Sequence, residues 1–389
     1  MDKGRIGIAV DNQRNLILAV VLSALLLFGW DAFARWYFPQ PEPHAATAAT
    51  DGAAPADQKG LSHSRTNREG GLHDATDIAL EAKELDTELA AANRIPIQAP
   101  DISGSINPVG ARIDDLTLNK HRTTIEKDSS PVRLFSPAGT PAQHFAQFGF
   151  VGEGVKLPDA NTVWQAEGGP LAPGKPVTLS WANGEGQTFR IRFEIDERYM
   201  ITATQTVSNA GTGAVVVRPF AFINRTNKTA SGDTWNVHSG PIGAFDGAVD
   251  FGVDYDDLAE DGPAKPGGRA DWLGFTDIYW LSALVPQKGQ NPDATFRSLG
   301  KDDFRADLIY QPVSVPAGRQ ISLGTRLLGG AKESRVLADY EAQGISNFSR
   351  AIDWGWFEII EKPILWLLTH LFGLVGNFGV AIMLLTVII

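Results

Sequence analysis

The sequence predicts a mainly β protein: one large antiparallel β-sandwich, with apolar segments at both ends of the chain. Three observations predict it. Apolar and polar residues alternate over many short runs between residue 94 and about residue 330. Gly, Pro, Asn and Asp separate these runs at short intervals, which is turn punctuation, and few helical stretches intervene. Glycine and proline number 40 and 23 among 389 residues, roughly a sixth of the chain, and favour many turns and short strands over a helical bundle.

Composition narrows the function. The chain has 34 basic and 45 acidic residues, a net charge of -11, and no block of Lys and Arg. Nucleic-acid binding needs basic patches, so that class is set aside. Cysteine is absent, which removes disulfide frameworks, thiolate catalysis and cysteine-based metal sites. The length allows two or three average domains or a single large all-β domain.

The N-terminal residues 1–15 carry Lys3, Arg5 and Arg14 and precede an unbroken apolar run from Leu16 to Trp30. This run has two readings. A cleaved secretory signal would use Ala32-Phe33-Ala34 as its small-residue site. A signal anchor, transmembrane helix 1, would extend over residues 16–38, with Trp30, Trp36 and Tyr37 as membrane-interface aromatics and Arg35 snorkelling. Either way the excess of basic residues before the run predicts a cytoplasmic N-terminus and export of the chain beyond it. Residues 39–93, rich in Ala, Pro, Asp and Thr, bury too little to offset their ordering entropy and read as a flexible linker. A helical piece is expected around "DIALEAKELDTELAAA". His44, His63 and His73 read as solvated linker histidines, because no paired spacing supports coordination.

Residues 94–343 form the predicted sandwich. "TFRIRFEID" puts Phe189, Ile191, Phe193 and Ile195 on one face and Arg190, Arg192, Glu194 and Asp196 on the other, the signature of a half-buried strand. "MITATQTVSN", "AVVVRPFAFIN", "DIYWLSALVP", "FRADLIYQPVSV" and "RQISLGTRLLGG" continue the series. "AKESRVLADYEAQG" spaces Val336, Leu337 and Tyr340 for a closing helix that stops at Gly344.

Candidate chemistry in this region is weak. "GPLAPGKP" matches a phosphate-binding loop at Gly169, Gly174 and Lys175, but Pro176 stands where a hydroxyl would hold magnesium, and further prolines remove N–H donors. Asp250, Asp254, Asp256, Asp257 and Glu260 could ligate calcium but lack the spacing of a calcium-binding hand and read as an exposed acidic loop. His121, His144 and His238 are isolated and read as structural or exposed. No catalytic residue, metal site or cofactor is assigned.

Residues 344–375 comprise a closing segment and an amphipathic helix. Trp354, Phe357, Ile360, Ile364, Leu367, Leu368 and Leu371 can share one side, with Glu358, Lys362, Thr369 and Gly373 opposite. Trp354, Trp356 and Trp366 supply the aromatics expected at a membrane interface. Pro363 would kink this helix or start a second segment. Residues 376–389 begin another apolar helix. Asn377 to Ile389 spans about 20 Å at 1.5 Å per residue, short of the roughly 30 Å bilayer core. It is therefore either a buried core helix or the first half of a span, transmembrane helix 2.

Several long strings carry a resemblance. "GSINPVGARIDDLTL" (Gly104 to Leu118), "SPAG" (Ser136 to Gly139), "AQFGFV" (Ala146 to Val151), "HSGPIGAFDG" (His238 to Gly247), "WLGFTDIYWLSALVP" (Trp272 to Pro286), "AIDWGWF" and "VGNFGVAIMLLTVII" resemble the YidC family of membrane protein insertases, in its alphaproteobacterial form. The resemblance implies an N-terminal anchor, a periplasmic sandwich of galactose-mutarotase-like supersandwich shape, an interfacial helix and then a five-helix insertase core. It favours the anchor over the cleaved signal. Gly376, Asn377 and Gly379 would open the core's first helix, and the basic residue of the family's groove would lie past Ile389. The implied function is insertion and folding of inner-membrane proteins, alone or with the Sec translocon, without enzymatic chemistry. The implied partners are nascent membrane proteins, translocon components and lipids. Two other classes are compatible with the residues: a membrane-anchored periplasmic carbohydrate-binding or aldose-epimerase-like protein, and a periplasmic docking module for translocon subunits.

Overall fold

Alternation along the chain becomes two stacked antiparallel sheets in the computed structural model, which describes residues 70–91, 93–124, 126, 128–232 and 237–389. The predicted transmembrane helix 1, Trp30, Trp36, Tyr37, His44, His63 and most of the linker lie outside the described residues.

A helix, α1 (Ala75–Leu89), precedes the strands. Asp74 caps it, accepting the N–H groups of Thr76 and Asp77 at 2.7 and 3.2 Å. None of its residues is buried. It touches the sandwich through polar contacts: Lys228 to Asp77 at 3.0 Å, and the Ala142 N–H donated to Glu81 at 2.8 Å.

The strands, in chain order, are β1 (Ile95–Gln98), β2 (Ile102–Asn107), β3 (Arg112–Arg122), β4 (Pro131–Phe135), β5 (His144–Glu153), β6 (Gln165–Glu167), β7 (Val177–Ala182), β8 (Gln187–Ile195), β9 (Met200–Asn209), β10 (Val215–Thr226), β11 (Gly240–Phe245) and β12 (Ala248–Asp250). After helix α2 (Tyr255–Glu260) come β13 (Ala270–Thr276), β14 (Trp280–Pro286), β15 (Asp293–Gly300), β16 (Asp303–Ile309), β17 (Val313–Val315) and β18 (Arg319–Ala331). Helices α3 (Ser334–Ala342), α4 (Glu358–Val375) and α5 (Phe378–Ile388) close the chain.

The first sheet runs β1-β2-β3-β5-β10-β16-β15, with β17 added to β10 and β4 to β3. The second runs β12-β11-β13-β14-β18-β9-β8-β7-β6. Their inner faces meet in an aromatic core. Phe148 and Phe150 of β5 lie 5.6 and 5.1 Å, ring to ring, from Phe193 and Phe189 of β8. The alternation predicted for β8 is realised: Phe189, Ile191, Phe193 and Ile195 are buried, and Arg190, Arg192 and Glu194 are exposed. Polar side chains also bridge the layers. Gln205 of β9 donates to the Gly149 and Phe220 carbonyls at 2.6 and 3.2 Å.

Helix α3 closes the sandwich as its spacing predicts. Val336, Leu337 and Tyr340 are buried, and the Tyr340 hydroxyl donates to Asp196 at 2.7 Å. Gly344 comes next with φ +96°, a left-handed position that favours glycine.

Candidate functional site

The C-terminal helices are apolar where a water-soluble pair would be polar. Helix α4 stops at Gly376, whose φ of +67° lets it take the left-handed cap while its N–H returns to the Phe372 carbonyl at 2.7 Å. Asn377 then starts α5, its side chain accepting the Val380 N–H at 3.2 Å. The two helices turn back on each other around Phe372 and Phe378, whose rings stack at 3.9 Å. Ala381 is fully buried at the contact, and Ile364, Leu367, Leu368 and Leu371 are half-buried. Helix α5 has 11 residues against 18 in α4, about 16 Å against about 27 Å. The first turns of α4 therefore extend past it, and Phe357 and Ile360 of the predicted apolar stripe stay exposed.

The outer surface of this pair is apolar too. Ile359, Leu374 and Val387 are 87, 83 and 85 % exposed, and Phe378, Ile382, Met383, Ile388 and Ile389 are also exposed. Contiguous apolar surface of this kind marks a membrane or partner contact. Among the described residues, no helix is long and apolar enough to cross a membrane. Trp354 is half-buried beneath the Lys362 ammonium, 5.5 Å from its ring centre, and Trp366 is exposed and packs on His370. Gly379 lies in the first turn of α5. The Trp356 side chain lies outside the described part of the structure.

A second feature was not legible in the sequence: a groove of about 440 Å³ on the outer face of the first sheet. Its floor is made by β5 and β10. Phe220 and Phe222, two residues apart, stack with nearly parallel rings whose centroids are 5.9 Å apart. Gly149 permits this, because a Cβ there would overlap the Phe220 ring. The Arg305 guanidinium lies 3.9 Å above Phe222, and that of Arg112 lies 5.6 Å from the Phe145 centroid. Arg112 also donates to Gln147 at 3.3 Å and to the Ala160 carbonyl at 3.1 Å. Trp164 lines the wall. It is buried, and its indole N–H has no acceptor among the described residues. Asp159 stands at the rim with its carboxylate occupied by Asn161 N–H and the Thr162 hydroxyl. Burial holds Arg305 below its ordinary guanidinium value, only partly offset by Asp307.

The predicted histidines are dispersed. His144 is buried between the sheets, its Nε2 2.9 Å from the Ser282 hydroxyl. Burial and the nearby Arg225 charge hold its imidazole well below the usual 6.5. His238 bonds the Pro241 carbonyl at 2.7 Å. His121 lies 3.3 Å from the Tyr199 hydroxyl and 3.4 Å from Glu333, half-exposed. The acidic run is spent on local structure: Asp254 and Asp257 form the capping box of α2, whose Tyr255 and Leu258 are buried. Among the described residues, no cluster of candidate metal ligands occurs. Lys175 and Ala172 close a turn by mutual backbone hydrogen bonds rather than a phosphate loop.

Sequence reading also missed a buried ionic cluster. Arg225 donates from its Nη2 to both carboxylate oxygens of Asp277 at 2.9 and 2.7 Å, and Asp277 also accepts from Ser231 N–H and the Ser239 hydroxyl. Lys332 donates to Thr276 at 3.0 Å nearby, and burial pushes its ammonium down to about 8.

Comparison with known proteins identifies the family. A family model described as the YidC periplasmic domain matches residues 94–367. The chain belongs to the YidC family. Proteins named membrane protein insertase YidC align along nearly all of it: that of Zymomonas mobilis is 39% identical over 96% of this chain, and those of Rickettsia canadensis and Mesorhizobium japonicum are 35% identical over 97% and 98%. The chain spans 62 to 66% of the length of these curated relatives. Among solved structures, a galactose mutarotase-like protein from Lactobacillus casei matches 61% of this chain and all of its own, with TM-score 0.42 and 10% identity. YidC from Thermotoga maritima matches 77% of this chain and 67% of its own, with TM-score 0.33 and 12% identity.

Proposed function

We propose that this chain is the anchored, exported and membrane-surface part of an insertase that places inner-membrane proteins in the bilayer and helps them fold. The observation that carries the reading is the apolar helix pair α4–α5, which succeeds the sandwich and exposes apolar side chains. Taking a Leu or Ile side chain out of water is worth about 1.5–3 kcal/mol, so such a surface favours acyl chains or an apolar segment of a client protein. Trp354, Trp356 and Trp366 then sit at headgroup depth, and Gly376, Asn377 and Gly379 begin the client-handling helices.

In this reading residues 1–15 are cytoplasmic, 16–38 anchor the chain in the inner membrane, 39–93 tether, and 94–343 form the periplasmic domain. Residues 344–375 lie along the membrane surface. Partners are nascent membrane proteins, lipids and the Sec translocon. Hydrophobic partitioning supplies the driving force, so the reading assigns no catalytic residue. The relatives' shared name supports the activity.

The test is site-specific photo-crosslinking in inner-membrane vesicles, with a benzophenone side chain at Ile359, at Val387 or, as control, at Arg192 on the sandwich. A stalled single-span nascent chain should crosslink from Ile359 or Val387, and a stalled secreted, span-free chain should not. Equal capture from Arg192, or no capture from either helix, would refute the proposal.

A further inference from the structure

The groove on the first sheet is a feature that the insertase reading does not use. Most arginines around this sheet are neutralised: Arg94 pairs with Asp114, Arg133 with Asp115, Arg218 with Asp293 and Arg297 with Asp307. Arg112 and Arg305 have no carboxylate within ion-pair distance among the described residues, and both line the groove. Two guanidinium groups without a contacting carboxylate thus face one cavity in a chain of net charge -11, Asp307 acting on Arg305 only from beyond ion-pair distance. Arg112 donates through Nε and Nη2 to Gln147 and the Ala160 carbonyl, and Arg305 through Nε to Asn224 at 3.4 Å; the remaining in-plane N–H donors of each guanidinium suit a carboxylate.

Two further observations restrict the ligand. The buried indole N–H of Trp164 is an orphan donor on the same wall, and buried donors ordinarily have acceptors. Phe220 and Phe222 repeat at 5.9 Å in parallel, close to the roughly 6.8 Å between same-face side chains of an extended chain. We infer that the groove binds an extended acidic peptide segment: carboxylates on Arg112 and Arg305, a carbonyl on the Trp164 N–H, and alternate apolar side chains on the phenyl shelf. The volume suits a few residues rather than a folded partner. The assignment is independent of insertase activity and stands or falls without it.

The experiment uses the full chain in detergent, labelled with ¹⁵N at tryptophan indoles, with Trp164→Phe assigning the relevant resonance. The probe is a five-residue peptide alternating aspartate and phenylalanine, blocked at both ends, compared with its asparagine counterpart. The acidic peptide should move the Trp164 indole resonance saturably, and the asparagine version should bind about a hundredfold more weakly, about tenfold for each of the two charged hydrogen bonds lost. Arg305→Gln and Arg112→Gln should each weaken binding by about tenfold, whereas Arg192→Gln on the other sheet should not. Binding should also weaken with added salt. Equal affinity for both peptides in the unmodified protein overturns the assignment without relying on any variant. So does a Trp164 shift produced by phosphatidylglycerol vesicles but not by the peptide, which would make the groove a lipid-headgroup site.

Discussion

His144 and Asp277 illustrate how much of this sandwich rests on polar groups that the sequence does not advertise. Asp277 lies 52 residues from Arg225 along the chain, and nothing in the local pattern of either residue marks the pair. Breaking such a buried pair on one side costs about 3–5 kcal/mol, because the remaining charge stays buried. His144 makes the pH consequence testable. Its folded imidazole resists protonation because it is buried near Arg225, whereas in the unfolded chain it takes a proton below 6.5. The unfolded state therefore binds more protons as pH falls below 6.5, and stability falls by about 1.4 kcal/mol per pH unit in that window. His144→Gln, whose amide can still reach Ser282, should be less stable at pH 7 but lose less stability between pH 6.5 and 5.5 than the parent. Urea midpoints at the two pH values measure this, and an unchanged pH dependence would contradict it.

At the scale of elements, alternation and turn punctuation were enough to place the strands, because one face of most strands packs and the other is polar. Strand β8 shows the rule in its simplest form. Strands β5 and β10 break it. "HFAQFGFVGE" carries aromatics on both faces, Phe148 and Phe150 in the core and Phe145 in the groove, and "RPFAFIN" turns Phe220 and Phe222 to the groove while Ala221 and Ile223 face the core, so period-two reading finds strands there but no site. Close backbone approach is equally invisible. At Gly274 of β13 a Cβ would collide with the Ser282 carbonyl of the paired β14, whereas Gly213 has open space around its Cβ position and no positive φ. Gly274→Ala should therefore destabilise by about 1–3 kcal/mol through overpacking, and Gly213→Ala should be neutral or slightly stabilising. Denaturant unfolding of the two variants checks the contrast, and equal effects would mean that this ladder is not tightly packed.

For the whole molecule, the polarity of the surface changes along the chain. The sandwich carries charged outer faces, and Arg190, Arg192 and Glu194 show the pattern on β8. After Ala351 the chain turns apolar on nearly every side, with few ionisable groups past Lys362. The spacing of apolar residues from Trp354 onward makes that change readable in the sequence. The sequence did not foretell that α5 would fold back on α4 and leave Phe357 and Ile360 uncovered, because that depends on the relative lengths of the two helices. The central claim is that this helix pair lies in the membrane while the sandwich stays in water. Since the chain has no cysteine, single cysteines at Ile359, Val387 and Arg192 can be labelled in proteoliposomes with a membrane-impermeant maleimide. Arg192→Cys should react fast and the two helix positions at least about tenfold more slowly, as apolar side chains buried below the headgroups. Equal rates at all three positions would contradict the account.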